Sequence, residues 1–158
     1  PAFMLLMAAM VNVIYRIDPK RENINRSMEL KQISRWFVVL LAVMVQFVIV
    51  LSGIGMDIDV GSLVSIPIAL MFVAAGNYLP KCRQNYTMGI KLPWTLADED
   101  NWNRTHRMAG YVWTAGGILM LVMGFFHLAS LFFLVFMAMV LIPSVYSYLI
   151  YRKKQKGI

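Results

Sequence analysis

The residues that could perform chemistry lie mostly in one polar stretch between two apolar segments. Asp98, Glu99, Asp100 and His106 carry the groups that bind metal ions or transfer protons. Consecutive acidic residues point in different directions on a helix, and no second histidine lies nearby. The better prediction is a helix start, because Thr95 followed by Asp98 matches a capping pattern and acidic residues favour a helix N-terminus.

Other catalytic or ligand patterns are equally weak. Cys82 is the sole cysteine in the sequence, which excludes an intrachain disulfide and a cysteine-rich metal site. We therefore predict a protein that is not an enzyme and that needs no cofactor or metal.

The elements around this polar stretch are long apolar segments. The sequence is 59% hydrophobic with a mean hydropathy of +0.64, whereas a soluble domain is about 45–50% apolar. No charged residue occurs in 36–55, 60–80 or 108–151, and about 20 such residues cross a bilayer as a helix. The third segment is long enough to cross twice. We predict one all-α domain over 1–158, a polytopic transmembrane helical bundle with spans at about 1–15, 36–55, 60–80, 108–128 and 131–151.

The first of these five spans is short. Residues 1–15 would cover about 22 Å as a helix, less than the bilayer core of about 30 Å. A signal peptide would have basic residues before its apolar run, and here they follow it. We expect a truncated span, an upstream extension and six spans in the full-length protein.

The basic residues predict the orientation. All 15 lysines and arginines fall in 16–35, 80–108 and 152–156, whereas the intervening connections carry only Asp57, Asp59 and His127. Because basic loops stay in the cytoplasm, we predict that both loops and the C-terminus lie there. Anionic membrane lipid then explains the net charge of +7, so direct nucleic-acid binding is not expected.

Few polar groups lie inside the spans. Gln46 is near the middle of its span, and we expect it to face the bundle interior and form an interhelical hydrogen bond. Pro67 and Pro143 are tolerable if neighbouring helices satisfy the freed carbonyl groups. Gly110, Thr114, Gly117 and Gly124 form a stripe that favours close packing of another helix. No span contains a charged residue, which argues against ion-coupled transport.

The loop at 80–108 carries a resemblance. The stretch "GNYLPKCRQNYTMGIKLPWTLADEDNWNRTHRMAG" resembles the pattern of the SdpI family of bacterial membrane proteins: G-N-x-x-P, then N-x-x-x-G-I-[RK]-x-P-[WY]-T-L, then W-x-x-x-[HN]-R and a glycine. "IDPKRENI" at 17–24 also resembles the first cytoplasmic loop of that family. The matching positions are Gly76, Asn77, Pro80, Asn85, Gly89, Ile90, Lys91, Pro93, Trp94, Thr95, Leu96, Trp102, His106, Arg107 and Gly110.

The resemblance implies a membrane immunity protein of the bacterial plasma membrane. Such a protein gives resistance to a secreted, membrane-active toxin peptide and, with toxin bound, sequesters a winged-helix transcriptional repressor at the membrane. The alternative is a small membrane transporter or channel for an unidentified solute. A continuous polar pore would favour the transporter, and a dry bundle packed with leucine and methionine would favour the receptor.

We therefore predict that the loop at 80–108 is the functional region, and we assign different roles to its residues. We expect Asn85, Gly89 and Pro93 to set the backbone path, because they favour turns. Trp94 and Trp102 would supply interface area. Lys91 and Arg107 would pair with an acidic group on a partner or within the loop.

Overall fold

The computed structural model describes residues 2–25, 27–56, 60–126 and 128–157, and these residues are almost entirely helical. No strand occurs in the described ranges, so the predicted all-α class is confirmed. Seven α-helices and one 3-10 turn follow each other in the order α1 (Ala2–Ile17), α2 (Arg21–Asn25), α3 (Met28–Gly53), α4 (Val60–Tyr78), the 3-10 turn (Leu79–Lys81), α5 (Pro93–Ala97), α6 (Glu99–Phe125) and α7 (Ala129–Gln155).

Among the described residues, four helices are long and apolar enough to cross a membrane, one fewer than the five spans predicted. They cover Met28–Gly53, Leu63–Lys81, Glu99–Phe125 and Leu131–Gln155. The first predicted span forms α1, whose 16 residues reach about 24 Å and therefore fall short of a bilayer core. The chain is a multi-pass membrane protein. The two connections that lack lysine and arginine contain Asp57, Asp59 and His127. These three residues lie outside the described residues.

The glycine stripe of α6 packs directly against α4, which confirms the predicted seam. A Cβ atom on Gly117 would lie 2.8 Å from the backbone nitrogen of Val73, and one on Gly110 would lie 2.9 Å from the carbonyl oxygen of Gly76. On the opposite helix, a Cβ atom on Gly76 of α4 would lie 2.6 Å from the backbone nitrogen of Thr114. Backbone atoms cannot move aside as side chains can, so these glycines set the close approach of the two helices.

The interior between α4, α6 and α7 is apolar. Ala69, Phe72, Met120 and Met139 are its buried members, and Phe72 meets the ring of Trp113 edge-on at 5.2 Å between centroids. Two of its four buried members are methionines.

Helix α3 lies at the periphery of the bundle. All of its residues are described, and only Leu30, near its start, is buried. Gln46 is exposed on α3 rather than turned into the bundle, which corrects the orientation predicted for it. The prediction assumed that a span packs on its neighbours along its whole length, whereas the apolar part of α3 stays at the surface.

Candidate functional site

The candidate site is the segment between α4 and α6, residues 79–98, which we call the folded loop. It begins with the 3-10 turn Leu79–Lys81, continues without regular structure through 82–92, and closes with the short helix α5. Side-chain hydrogen bonds join it to the α1–α3 connection and to α6.

The end of the folded loop corrects the predicted helix start. Asp98, not Thr95, caps α6: its backbone is extended (φ −137°) and its carboxylate accepts a hydrogen bond from the Asp100 N–H at 3.0 Å. The Thr95 hydroxyl group belongs to α5, where it accepts from the Leu92 N–H at 2.9 Å and lies 2.8 Å from the Ile90 carbonyl oxygen. Pro93 at the first position of α5 explains the separate short helix, because proline favours helix starts.

Asn85 shapes the irregular part of the folded loop. Its side chain is fully buried, and its carbonyl oxygen accepts from the N–H groups of Thr87 (2.9 Å) and Met88 (2.6 Å). Its amide nitrogen donates to the Arg83 carbonyl oxygen at 2.7 Å. One side chain thus satisfies three backbone groups, which is the local role that asparagine performs in turns.

The folded loop packs on the rings of Trp102 and His106 of α6. Both are fully buried, and their rings stack with centroids 4.0 Å apart. The indole N–H of Trp102 donates to the Cys82 carbonyl oxygen at 2.8 Å, and Nε2 of His106 accepts from the Ile90 N–H at 2.9 Å. Two backbone groups of the loop are therefore anchored on one face of a single helix.

The protonation of His106 follows from its partners. Nδ1 lies 2.8 Å from the Trp102 carbonyl oxygen, which can only accept, so Nδ1 carries the proton. Nε2 faces an N–H group, which can only donate, so Nε2 is unprotonated. The imidazole is neutral and both nitrogens are occupied, which makes His106 a structural group rather than an acid or base available to a substrate.

Gly89 permits the loop backbone to pack closely on these two rings. Its φ of +102° is in the region that favours glycine, and a Cβ atom would lie 2.3 Å from Nε2 of His106. The backbone therefore approaches the two rings more closely than any other residue would allow.

The segment between α1 and α3 binds to the folded loop, a connection that the sequence analysis missed. Asp18 is buried, and its carboxylate accepts from the Tyr86 N–H (2.9 Å) and the Thr87 hydroxyl group (2.5 Å). Asn23 donates to the Gln84 carbonyl oxygen at 2.7 Å. Asp18 and Asn23 both fall within "IDPKRENI", so the resemblance of that stretch was the available signal.

Gln84 and Ser27 complete this connection. The Gln84 side chain is buried, contacts the Lys20 ammonium group, and donates to the carbonyl oxygens of Thr95 (2.8 Å) and Leu96 (2.9 Å). The Ser27 hydroxyl oxygen accepts from the Arg83 N–H at 3.2 Å. The two basic loops of the sequence are therefore one hydrogen-bonded unit.

The C-terminal helix closes the same end of the bundle. Asn101 of α6 is buried and exchanges hydrogen bonds with Ser147 of α7, at 3.1 Å to its carbonyl oxygen and 3.0 Å from its hydroxyl group. At the surface, the Lys154 ammonium group bridges Asp98 (2.6 Å) and Asp100 (2.9 Å). The hydrogen bond from Lys154 holds the pKa of Asp98 below its usual range.

Trp94 joins the folded loop to α7 through aromatic contacts. Its ring stacks on Tyr151 at 5.8 Å between centroids and meets Tyr148 at 5.4 Å. Its indole N–H is buried and has no hydrogen-bond partner within the described ranges. Trp94 is half-buried, so part of this aromatic cluster stays accessible.

The predicted site residues separate into an inner and an outer set. The inner set is buried and consists of Asn85, Thr95, Trp102 and His106. Gly89 and Trp94 are half-buried, and the outer set is exposed: Asn77, Pro80, Lys91, Pro93 and Arg107. Lys91 donates to the Thr87 carbonyl oxygen at 3.0 Å, so its pairing in this structure is with the loop backbone.

Together these contacts form a polar platform held by buried hydrogen bonds. Across the described ranges, no three histidine, cysteine or carboxylate side chains come close enough to hold a metal ion. Cys82 is buried within the folded loop, and burial raises the pKa of its thiol to about 11. What the platform can offer is a fixed surface with exposed basic side chains.

The fold and the platform define the class: a multi-pass helical membrane protein with a structured loop on one side of the bundle. Residues 81–147 match the model of the SdpI/YfhL protein family, which confirms the resemblance read from the loop. The chain is also 27% identical over 121 residues to the Immunity protein SdpI of Bacillus subtilis (strain 168). That alignment covers 75% of this chain but 58% of the relative's length. No solved structure matches the chain significantly.

Proposed function

We propose that the chain acts in a membrane immunity protein, which protects a bacterial cell from a secreted, membrane-active toxin peptide. In the same proposal its folded loop holds a winged-helix autorepressor at the cytoplasmic face of the plasma membrane. The similarity to an immunity protein of Bacillus subtilis supports the first part. The observation that carries the second is that residues 79–98 form a platform anchored by buried hydrogen bonds to the α1–α3 connection and to α6. A simple connector between two spans needs no such anchoring.

The proposal places the platform in the cytoplasm. Asp18 ties the first basic segment to the folded loop, and Lys154 ties the basic tail to the start of α6, so all three basic segments meet at one end of the bundle. The positive-inside rule assigns that end to the cytoplasm. A cytoplasmic repressor could then reach the platform without crossing the membrane.

Within the platform, the outer set would contact the repressor and the inner set would hold the outer set in position. Lys91 and Arg107 are exposed and basic, which suits an acidic group on the partner. Trp102 is fully buried, so it supports the surface from below and does not supply contact area. This division replaces the role first expected for Trp102.

The toxin peptide would meet the bundle within the bilayer, along α3. Gln46 is exposed near the middle of that span, where an amide facing lipid is costly unless it has a partner. A peptide that crosses or enters the membrane can supply that partner. The apolar packing of Phe72, Met120 and Met139 between the other helices supports a receptor over a solute pathway.

The test separates the two activities. In cells with the toxin and the repressor, Lys91→Gln/Arg107→Gln should weaken repressor recruitment to the membrane by about tenfold, because two exposed charge pairs contribute roughly 0.7 kcal/mol each. Survival in toxin should be kept by that variant and reduced by Gln46→Leu. The matched control is Lys153→Gln/Lys156→Gln, which removes the same charge from the exposed tail. Recruitment equal to wild type in the loop variant, at equal membrane levels, would refute the docking role.

A further inference from the structure

A polar cavity of about 620 Å³ lies where α1, α2 and α3 meet. Three basic side chains line it, from Arg16, Arg21 and Lys31, together with Glu22 and Tyr15. The excess of two positive charges favours an anion, and three cations around one space can neutralise a phosphate group more fully than a single one. The ammonium group of Lys31 is fixed over the Tyr15 ring, 5.3 Å from its centroid.

An apolar crevice of about 350 Å³ adjoins this cavity. It is lined mainly by Ile14, Leu30, Met71, Leu79 and Trp113, and it runs beneath the folded loop at Gly89. Tyr15 lines both spaces, so the charged cavity and the apolar crevice are neighbours. Together they offer one site that is cationic at one end and apolar at the other.

The depth of the site in the membrane suits a lipid. Trp36 is 69% exposed at the start of the uncharged part of α3, as expected of a residue at the membrane interface. Lys31 precedes it by five residues, about 7.5 Å along the helix, which places the basic side chains at the level of lipid headgroups. The crevice extends from there toward Met71 and Trp113, within the spans α4 and α6.

We propose that the two spaces bind one anionic phospholipid, with its phosphate group among Arg16, Arg21 and Lys31 and one acyl chain in the apolar crevice. A free phosphate ester would satisfy the basic side chains equally well but would leave the crevice unfilled. The site is independent of the proposed immunity role, since it needs only the placement of these helices in a bilayer. Its lipid would touch the lower side of the folded loop at Met88 and Gly89.

The experiment is native mass spectrometry of the protein purified in detergent, titrated in parallel with phosphatidylglycerol, phosphatidylcholine and soluble glycerol phosphate. Phosphatidylglycerol should bind at one site, and the other two should bind at least tenfold more weakly. Arg16→Gln/Arg21→Gln should weaken phosphatidylglycerol binding by roughly fivefold for each charge, about twenty-five-fold in all. Arg16→Lys/Arg21→Lys should retain most of the binding.

The control is Lys153→Gln/Lys156→Gln, which removes two exposed charges far along the chain and should bind phosphatidylglycerol as wild type does. Three results would overturn the proposal: equal binding of the two lipids, an equal loss in the tail control, or glycerol phosphate binding as tightly as the lipid. If the double glutamine variant does not fold, Arg21→Gln alone decides, with an expected fivefold loss. Wild-type affinity in a folded Arg21→Gln variant would also overturn it.

Discussion

The indole N–H of Trp113 donates a hydrogen bond to the carbonyl oxygen of Met139, 3.0 Å away. Met139 lies four residues before Pro143, so its carbonyl oxygen is the one that the proline leaves without a backbone donor. A side chain of α6 therefore supplies the donor that α7 lacks. This confirms, for Pro143, the expectation that a neighbouring helix satisfies the freed carbonyl group.

The first prediction concerns this bond. Trp113→Phe keeps an aromatic ring beside Phe72 but removes the donor, and it should lower the free energy of unfolding in detergent by about 0.6–1.5 kcal/mol. In a Pro143→Ala background the backbone supplies its own donor to Met139, so the same substitution should cost less. Equal losses in the two backgrounds, measured by thermal unfolding, would show that the hydrogen bond is unimportant.

The second prediction tests the close approach at Gly89. Gly89→Ala should destabilise the protein by about 1–2 kcal/mol through its positive φ. A further 1–3 kcal/mol should follow because His106 is displaced and the Ile90 N–H loses its acceptor. Gly55→Ala is the matched control, with φ of +82° and no neighbour within 4 Å of the added Cβ atom. The difference between the two melting temperatures isolates the contact with His106, and no difference would argue against it.

Third, Asp18 should hold the two basic loops together. Asp18→Ala leaves the Tyr86 N–H and the Thr87 hydroxyl group without their acceptor and should cost about 1–3 kcal/mol, whereas Asp18→Asn keeps one acceptor oxygen and should cost less. The local readout is trypsin cleavage at Arg83, which is exposed and should become faster in Asp18→Ala. Glu29→Ala, an exposed acidic site, should change neither measurement. Unchanged cleavage in Asp18→Ala would mean that the loop is rigid without this link.

The fourth prediction concerns sidedness, and the structure determines which probes can report it. Cys82 is 2% exposed and its thiol pKa is raised to about 11 by burial, so it should resist maleimide at neutral pH from either side. Cys82 is therefore unsuitable as a probe of orientation.

Single cysteines should be placed instead in a Cys82→Ala background, at Tyr86 on the folded loop and at Met56 and Leu128 on the opposite connections. All three positions are exposed. In intact cells an impermeant maleimide should label positions 56 and 128, and position 86 only after permeabilisation. The reverse pattern would invert the proposed topology.

Fifth, Lys154 and its neighbour Lys153 should differ. Lys154→Gln removes the bridge to Asp98 and Asp100 and should lower the melting temperature slightly at low salt and less at high salt, because the groups are partly exposed. Lys153→Gln should have no effect on thermal unfolding. The depressed pKa of Asp98 means that its contribution is present above the unfolded pKa of about 3.9 and is lost as the pH falls through the lower folded value. The two variants should therefore differ at pH 7 and converge in strong acid; no difference at pH 7 would count against the bridge.

The sequence was sufficient for four of the five predicted spans and for the packing seam, because both depend on local composition. Uncharged length identifies a transmembrane helix, and glycines at helical spacing identify a face for close packing. The helix start was harder, since Thr95 and Asp98 are both good capping residues. The local pattern could not show that Pro93 begins a separate short helix.

The interior of the platform could not be predicted in the same way. The bond between Asp18 and Thr87 joins residues 69 positions apart, and no periodicity records such a pairing. Trp102 was expected to supply binding surface, because tryptophan often does so at interfaces, yet it is buried beneath the loop. We predicted that Gln46 faces the bundle interior because a polar group in contact with lipid is costly. That argument predicts a hydrogen-bond partner for Gln46 but not the position of the partner.

Helix α3 is held at one end. Its first turns lie beside the hydrogen-bonded connection to the folded loop, while its apolar remainder has no buried residue. Its uncharged part, residues 36–53, is about 27 Å long, close to the hydrocarbon thickness of about 30 Å, so its tilt responds to that thickness. A thinner membrane increases that tilt and a thicker one reduces it. Because Leu30 and Ser34 of α3 line the crevice beneath the loop, we expect a change in bilayer thickness to alter the shape of that crevice and the support of the platform above it.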